Sequence, residues 1–193
     1  MKKLLFFLLV FIAVNMYAQN NSLNNVAAML FKNVKTKLTV QEKNEIAVKL
    51  GFILSADKDQ PFASDKDSKD YPFTANVFPT DMNKDGKEEI FILFGNTYTS
   101  GNTGSSIALF IKDTKAVYSN QFGFPGTIPD VLTTVNQDYP DLLIGGPGME
   151  YPVWRWNGKA YVFNRNVKDA DYSKLKTQSV EDISKAYKLT IKE

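Results

Sequence analysis

Neither cysteine nor histidine occurs anywhere in the 193 residues. Without a thiol there is no disulfide, although many exported chains are stapled by them, and no lipid can be attached through sulfur near the N-terminus. Without an imidazole there is no Ser-His-Asp or Cys-His nucleophile, no histidine general base and no ordinary zinc site. What survives is chemistry done by oxygen: hydrolysis by paired carboxylates and capture of hard cations by carboxylates, amides and carbonyls. Charge of one sign is lacking too. The chain has 23 basic and 21 acidic residues, and its first three positions hold two of the lysines. Neither nucleic acid nor an anionic membrane is therefore an expected partner.

Long apolar runs are scarce, and the one present is at the start. In MKKLLFFLLVFIAVNMYAQN, Lys2 and Lys3 precede an uncharged stretch from Leu4 to Val14, and small Ala18 stands before Gln19. This order of basic, apolar and small residues is that of a secretory signal over residues 1–18. The stretch is shorter than the roughly 20 residues a spanning helix needs, and no other segment approaches that length. The expectation is a secreted or periplasmic protein with no membrane span once the signal is gone. The remaining ~175 residues, 19–193, suit a single domain with a sizeable core.

Along the rest of the chain the apolar period changes once. Leu23, Val26, Ala27, Leu30, Phe31 and Val34 recur at helical spacing and predict a helix over 23–36. Thr39-Val40-Gln41-Glu42 reads as a capping box opening a second helix that runs to about Leu50 and ends at Gly51. Residues 55–71 mix Asp and Lys with Ser and Pro and read as a solvated loop. From Phe73 the period is two. Strands are predicted near 73–77, 90–94, 106–111, 116–118, 131–135, 141–145, 151–156 and 160–164, with Ile90 to Phe94 apolar on both faces as in a central strand. Asn157-Gly158 suits a two-residue hairpin turn. Ser179 to Asp182 opens a short closing helix. The fold class is α+β: N-terminal helices, then a mostly antiparallel sheet of about 7–9 strands, then a C-terminal helix.

The stretch with the clearest chemistry is PTDMNKDGKEEIFIL, residues 79–93. In a calcium loop, oxygens arrive from positions 1, 3 and 5 as side chains, from 7 as a carbonyl and from 9 as a side chain or through water, with Gly at 6 for the sharp turn. Here those positions are Asp81, Asn83, Asp85, Lys87, Glu89 and Gly86. The alternative is a polar turn, since Asp, Asn and Gly are favoured in turns for their own hydrogen bonding and backbone tolerance. An EF-hand also needs an acid at position 12, where this chain has Ile92, and a following helix, where this chain reads as strand.

Truncation at position 9 with a strand behind it resembles the FG-GAP and VCBS-type repeats of extracellular β proteins. The resemblance implies a weak structural calcium held by side-chain oxygens of Asp81, Asn83, Asp85 and Glu89 and the carbonyl of Lys87. A decayed second copy can be laid over Val135 to Gly146, matching Asp141 to Glu89, but it lacks the loop glycine and most of the acids. The later segment YPDLLIGG…YPVWRWNGKAYVF is similar to the end of small secreted bacterial proteins with one calcium-type motif. That likeness implies an architecture and a compartment without an activity.

Two further features stay open on the sequence. Trp154 and Trp156 share one face of a strand near Tyr151, as a stacking platform for a sugar or a protein partner, or as ordinary core. Glu150 with Asp130, Asp138 or Asp141 offers carboxylates for glycoside hydrolysis, but no spacing selects a pair. The glycine-rich loop 95–104 lacks the lysine and helix of a phosphate loop. The functional expectation is an exported, non-catalytic binding protein recognising a protein or glycan. The alternatives are a carboxylate-based glycan hydrolase and an inhibitor or immunity protein directed against a cell-wall enzyme.

Overall fold

The computed structural model of the protein describes residues 22–145 and 150–192, apart from the side chains of 135 and 136. The expected signal, residues 1–18, lies outside the described residues. In chain order the elements are α1 (Asn25–Leu30), α2 (Val40–Leu50), β1 (Ile53–Leu54), β2 (Phe62–Ala63), β3 (Thr74–Thr80), β4 (Glu89–Gly95), α3 (Thr97–Ser100), β5 (Ser106–Lys112), β6 (Tyr118–Pro125), β7 (Asp130–Asn136), β8 (Tyr139–Leu143), β9 (Tyr151–Trp156), β10 (Tyr161–Val167), α4 (Asp169–Tyr172), β11 (Thr177–Ser179) and α5 (Val180–Thr190). Among the described residues every strand pairing is antiparallel. The class is α+β with strands predominating.

The strands do not share one sheet, as the sequence reading had it. They form a β1-β2 pair, a four-stranded sheet in the order β3-β4-β5-β6, and a five-stranded sheet in the order β10-β9-β8-β7-β11. Strand periodicity marks faces but carries no information on where one sheet ends and the next begins, because the 126–129 connection looks like any other loop.

Two core clusters explain the division. On one face of the four-stranded sheet, Ile90, Ile92, Ala108 and Phe110 pack with Ala27, Leu30, Phe31, Ile46 and Ala47 of the helices. On the other face, Phe91, Ile107, Leu109 and Ile111 pack with Leu142, Ile144, Trp156 and Tyr161 of the five-stranded sheet. β4 and β5 are therefore buried on both sides, which is why they read as unbroken apolar runs. The layers are helices, sheet, sheet. A third cluster of Leu132, Leu143, Val153 and Val167 lies on the outer face of the second sheet under Tyr151, Tyr172 and Leu175.

The expected helix over 23–36 has the right apolar face but ends early. Its buried residues are Ala27 and Leu30, and Asn33 adopts a left-handed backbone (φ 61°) that a continuing helix cannot accommodate. α2 begins with the capping box: the Thr39 hydroxyl accepts from the Glu42 N–H at 3.3 Å, while Glu42 accepts from the Thr39 N–H at 2.8 Å. It ends at Gly51, whose φ of 73° is costly for any residue with a Cβ. Thr39→Ala should cost about 1 kcal/mol in urea denaturation, because it strips one first-turn N–H of its acceptor. A Thr39→Ser variant, which keeps the hydroxyl, should recover most of that loss.

β6 is longer than the 116–118 expectation. Polar Ser119, Asn120 and Gln121 with Gly123 and Pro125 obscure it, although Phe122 and Phe124 keep the period of two. The β9-β10 connection is longer than two residues: Trp156 pairs Tyr161, and the Asn157 side chain accepts from the N–H groups of Lys159 and Ala160. The hairpin tips β3-β4, β5-β6, β7-β8 and β9-β10 meet at one end of the sandwich, where residues of all four line a single cleft.

Candidate functional site

The 81–89 loop joins two paired strands, since Thr80 is opposite Glu89 in the β3-β4 ladder. Side-chain hydrogen bonds to its own backbone set its course. The Asp81 carboxylate accepts from the Gly86 N–H at 3.2 Å, Asn83 Oδ1 from the Asp85 N–H at 3.1 Å, and Asp85 Oδ1 from the Lys87 N–H at 2.8 Å. Two left-handed residues make the bend, Lys84 (φ 60°) and Gly86 (φ 85°). The Gly86 value is the reason that position favours glycine.

Glu88, just before β4, and Glu89, its first residue, serve opposite faces of the sheet. Glu88 accepts from the Lys37 N–H at 2.8 Å and from the Thr36 hydroxyl, and its carbonyl accepts from the Tyr118 hydroxyl at 3.0 Å. It ties the segment before α2 to the sheet. Glu89 turns back under the loop and is only 1% exposed. Its Oε2 accepts from the Met82 N–H at 2.7 Å and the Thr80 hydroxyl at 3.1 Å.

Carboxylate oxygens of Asp81, Asp85 and Glu89 all lie within 4.8 Å of one another. Burial, reinforced by the charges of Asp81 and Asp85, pushes the Glu89 carboxyl up to about 8, against the Met82 and Thr80 hydrogen bonds that favour its charged form. A like-charged trio of which one member is desolvated is stable only with a proton or a cation among the oxygens. The donor set fits a cation of the calcium class: all its oxygens are hard, and there is no nitrogen or sulfur to favour zinc. Asn83 sits on the same loop with its amide oxygen turned to the Asp85 N–H. The Lys87 ammonium lies 3.8 Å from Asp85.

The aromatic candidates separate by strand parity. Trp156 is 9% exposed and Trp154 is stacked on Phe124 at 5.0 Å between the sheets. Tyr151 is on the opposite face, stacked on Tyr172 at 4.4 Å with its hydroxyl donating to Asp169. The three are not brought onto one surface. Among the carboxylates considered for hydrolysis, Asp130 accepts from the Tyr172 hydroxyl at 2.8 Å and Glu150 from the Asn166 amide. Asp141, fully buried, accepts from Arg155 Nε at 3.0 Å and Nη2 at 2.8 Å. Asp138 stands in the β7-β8 turn and lines the cleft.

The cleft has a volume of about 410 Å³ and is the feature that sequence reasoning missed. Its walls come from turns far apart in the chain, so no local signal marks it. Compared with models of protein families, with curated proteins and with solved structures, the chain matches none of them.

Proposed function

We propose that this chain is an exported, non-catalytic binding protein whose 81–89 loop takes one calcium-class cation as a structural element, and which recognises a protein or glycan partner outside the cytoplasm. The observation that carries the cation half is the convergence of Asp81, Asp85 and nearly inaccessible Glu89 within 4.8 Å. Asp81, Asp85 and Glu89 would supply carboxylate oxygens, Asn83 an amide oxygen and Lys87 its carbonyl. The likeness to FG-GAP and VCBS-type loops draws support from the loop's last residue, Glu89, which opens a strand and not a helix. The cation would neutralise the trio and clamp the β3-β4 hairpin. Export rests on the order of basic, apolar and small residues at the N-terminus. Among the described residues no helix is long and apolar enough to cross a membrane.

Thermal melting in EDTA, magnesium and calcium tests the cation. With a dissociation constant of about 10⁻⁴ to 10⁻³ M, roughly 2 mM calcium should stabilise the fold by about 0.6–1.8 kcal/mol. That is a rise of roughly 1–7 °C in melting temperature. Magnesium should do less, since it gives up water reluctantly. Asp85→Ala, at an exposed position, should abolish the response without disturbing the core. Identical melting of the wild type in all three conditions would refute the cation.

A further inference from the structure

We infer that the cleft at the four hairpin tips is a binding site for a neutral polyhydroxylated ligand, one sugar unit of a glycan. The inference rests on the binding-protein reading and gives that reading a ligand class and a place. The cleft's volume of about 410 Å³ lies within the usual range for small-molecule sites, roughly 300–1,000 Å³. Its polar lining mixes three carboxylates with three ammoniums, of which Lys112 is also paired with Glu42. The β3-β4 loop contributes Asp85 and Lys87, the end of β5 contributes Lys112 and Asp113, and the two turns of the other sheet contribute Asp138 and Lys159.

A lining that mixes carboxylates and ammoniums has no single-sign field to draw in a strongly charged ligand. It does suit hydroxyl groups, each of which donates one hydrogen bond and accepts others. The largely buried Ile111, Tyr139 and Trp156 supply the apolar part of the lining, against which the C–H groups of a sugar ring can rest. Among the described residues neither Asp138 nor Lys159 forms an ion pair, so both retain hydrogen-bonding capacity for a ligand. A peptide is less well served. It binds a sheet through an unpaired strand edge, and the walls here are turns that present side chains.

The site is also rigidly held. Ile111 and Trp156 belong to the inter-sheet core cluster, as does Tyr139, and Tyr139 packs on Trp156 at a centroid distance of 4.8 Å. Loops mounted on such a frame are the usual place for recognition.

The test is a printed array of neutral, acidic and basic glycans, probed with the exported chain in calcium, followed by titration of the best-bound glycan with indole N–H resonances as the readout. Binding should be confined to neutral glycans. Trp156, which lines the cleft, should shift, and Trp154, which does not, should stay in place. The double variant Asp138→Ala, Lys159→Ala touches only exposed turn residues and should weaken binding about tenfold or more while leaving the melting temperature unchanged. Tyr98→Ala removes half of the exposed Tyr71–Tyr98 stack (3.6 Å) and should have no effect.

A silent array, a preference for acidic or basic glycans, or loss of binding on Tyr98→Ala but not on the double variant would each overturn the assignment. So would a protein partner whose capture is lost in the double variant while the array stays silent. Calcium melting separates the two failures. If calcium still stabilises the chain while no glycan binds, the sugar assignment falls and the cation loop stands. If glycans bind without any calcium response, the reverse holds.

Discussion

In EDTA, the unfolding free energy of the wild-type protein should fall by about 3 kcal/mol between roughly pH 5 and pH 8.5, and Glu89→Gln should abolish most of that slope. Glu89 has a folded value near 8 against an ordinary 4.5. Between those values the native state binds more protons than the unfolded chain. Stability is therefore fully present below the unfolded value and is lost as pH rises through the folded one. Here the absence of histidine leaves the window almost free of other side-chain titrations.

Calcium should flatten the slope, because the cation replaces the proton in holding the carboxylate trio together. Its stabilising effect should accordingly be larger at pH 8 than at pH 6, where the proton competes. Urea denaturation across that range, with and without calcium, measures both. A flat profile in EDTA would show that Glu89 ionises without penalty, and the trio would then lose its demand for a counter-charge.

Asp141→Ala should be strongly damaging to the second sheet, costing about 2–3 kcal/mol in urea denaturation at neutral pH, because it strips Arg155 of a charged acceptor. The carboxylate is 0% exposed. Burial disfavours its charge, but the two hydrogen bonds from Arg155, with Thr134 and Arg165 nearby, outweigh that and hold it below the usual carboxylate range. Its contribution is present above its ordinary value and lost as pH falls through the depressed one, so it should appear as a steep acid limb.

The two arginines should not be equivalent. Arg155→Ala removes the bidentate partner at 2.8 and 3.0 Å and leaves a buried charge exposed to its desolvation cost. Arg165 sits at 3.6 Å with 41% of its side chain in solvent, so Arg165→Ala should cost less than about 1 kcal/mol. Equal effects of the two substitutions would refute this assignment of the load.

The overlay of Asp141 on Glu89 takes on meaning beside these two residues. Each is a buried acid on the second strand of a four-stranded meander, β3-β4-β5-β6 in one sheet and β7-β8-β9-β10 in the other. The two have different partners. Glu89 faces two other carboxylates, whereas Asp141 faces two guanidiniums. The second loop lacks the acids that would bring a cation, and arginines from β9 and β10 stand in their place.

Much of this was already local in the residues. The capping box of Thr39 and Glu42, the stop at Gly51, the burial of β4 on both faces and the course of the 81–89 loop all follow from groups within a few positions of one another. Steric limits on φ, short-range hydrogen bonds and the period of two act at that range, so a reader of the chain can apply them directly. The apolar face of α1 was legible for the same reason. Its length was not, because Asn33 stops it through a backbone conformation that asparagine tolerates but does not require.

Only the tertiary structure decided the rest. Division of the strands into two sheets depends on which apolar faces meet, and that is a property of the whole packing and not of any segment. The depth of Glu89 is set by the packing around the start of β4, which converts an ordinary acid at the end of a loop into one whose carboxyl is pushed up to about 8. Tyr151 parts from the tryptophans because alternate residues of β9 face different layers. The cleft is the furthest from sequence. Its charged pairs come from turns at residues 85, 113, 138 and 159, which become neighbours only when two sheets stack with their hairpin tips at the same end.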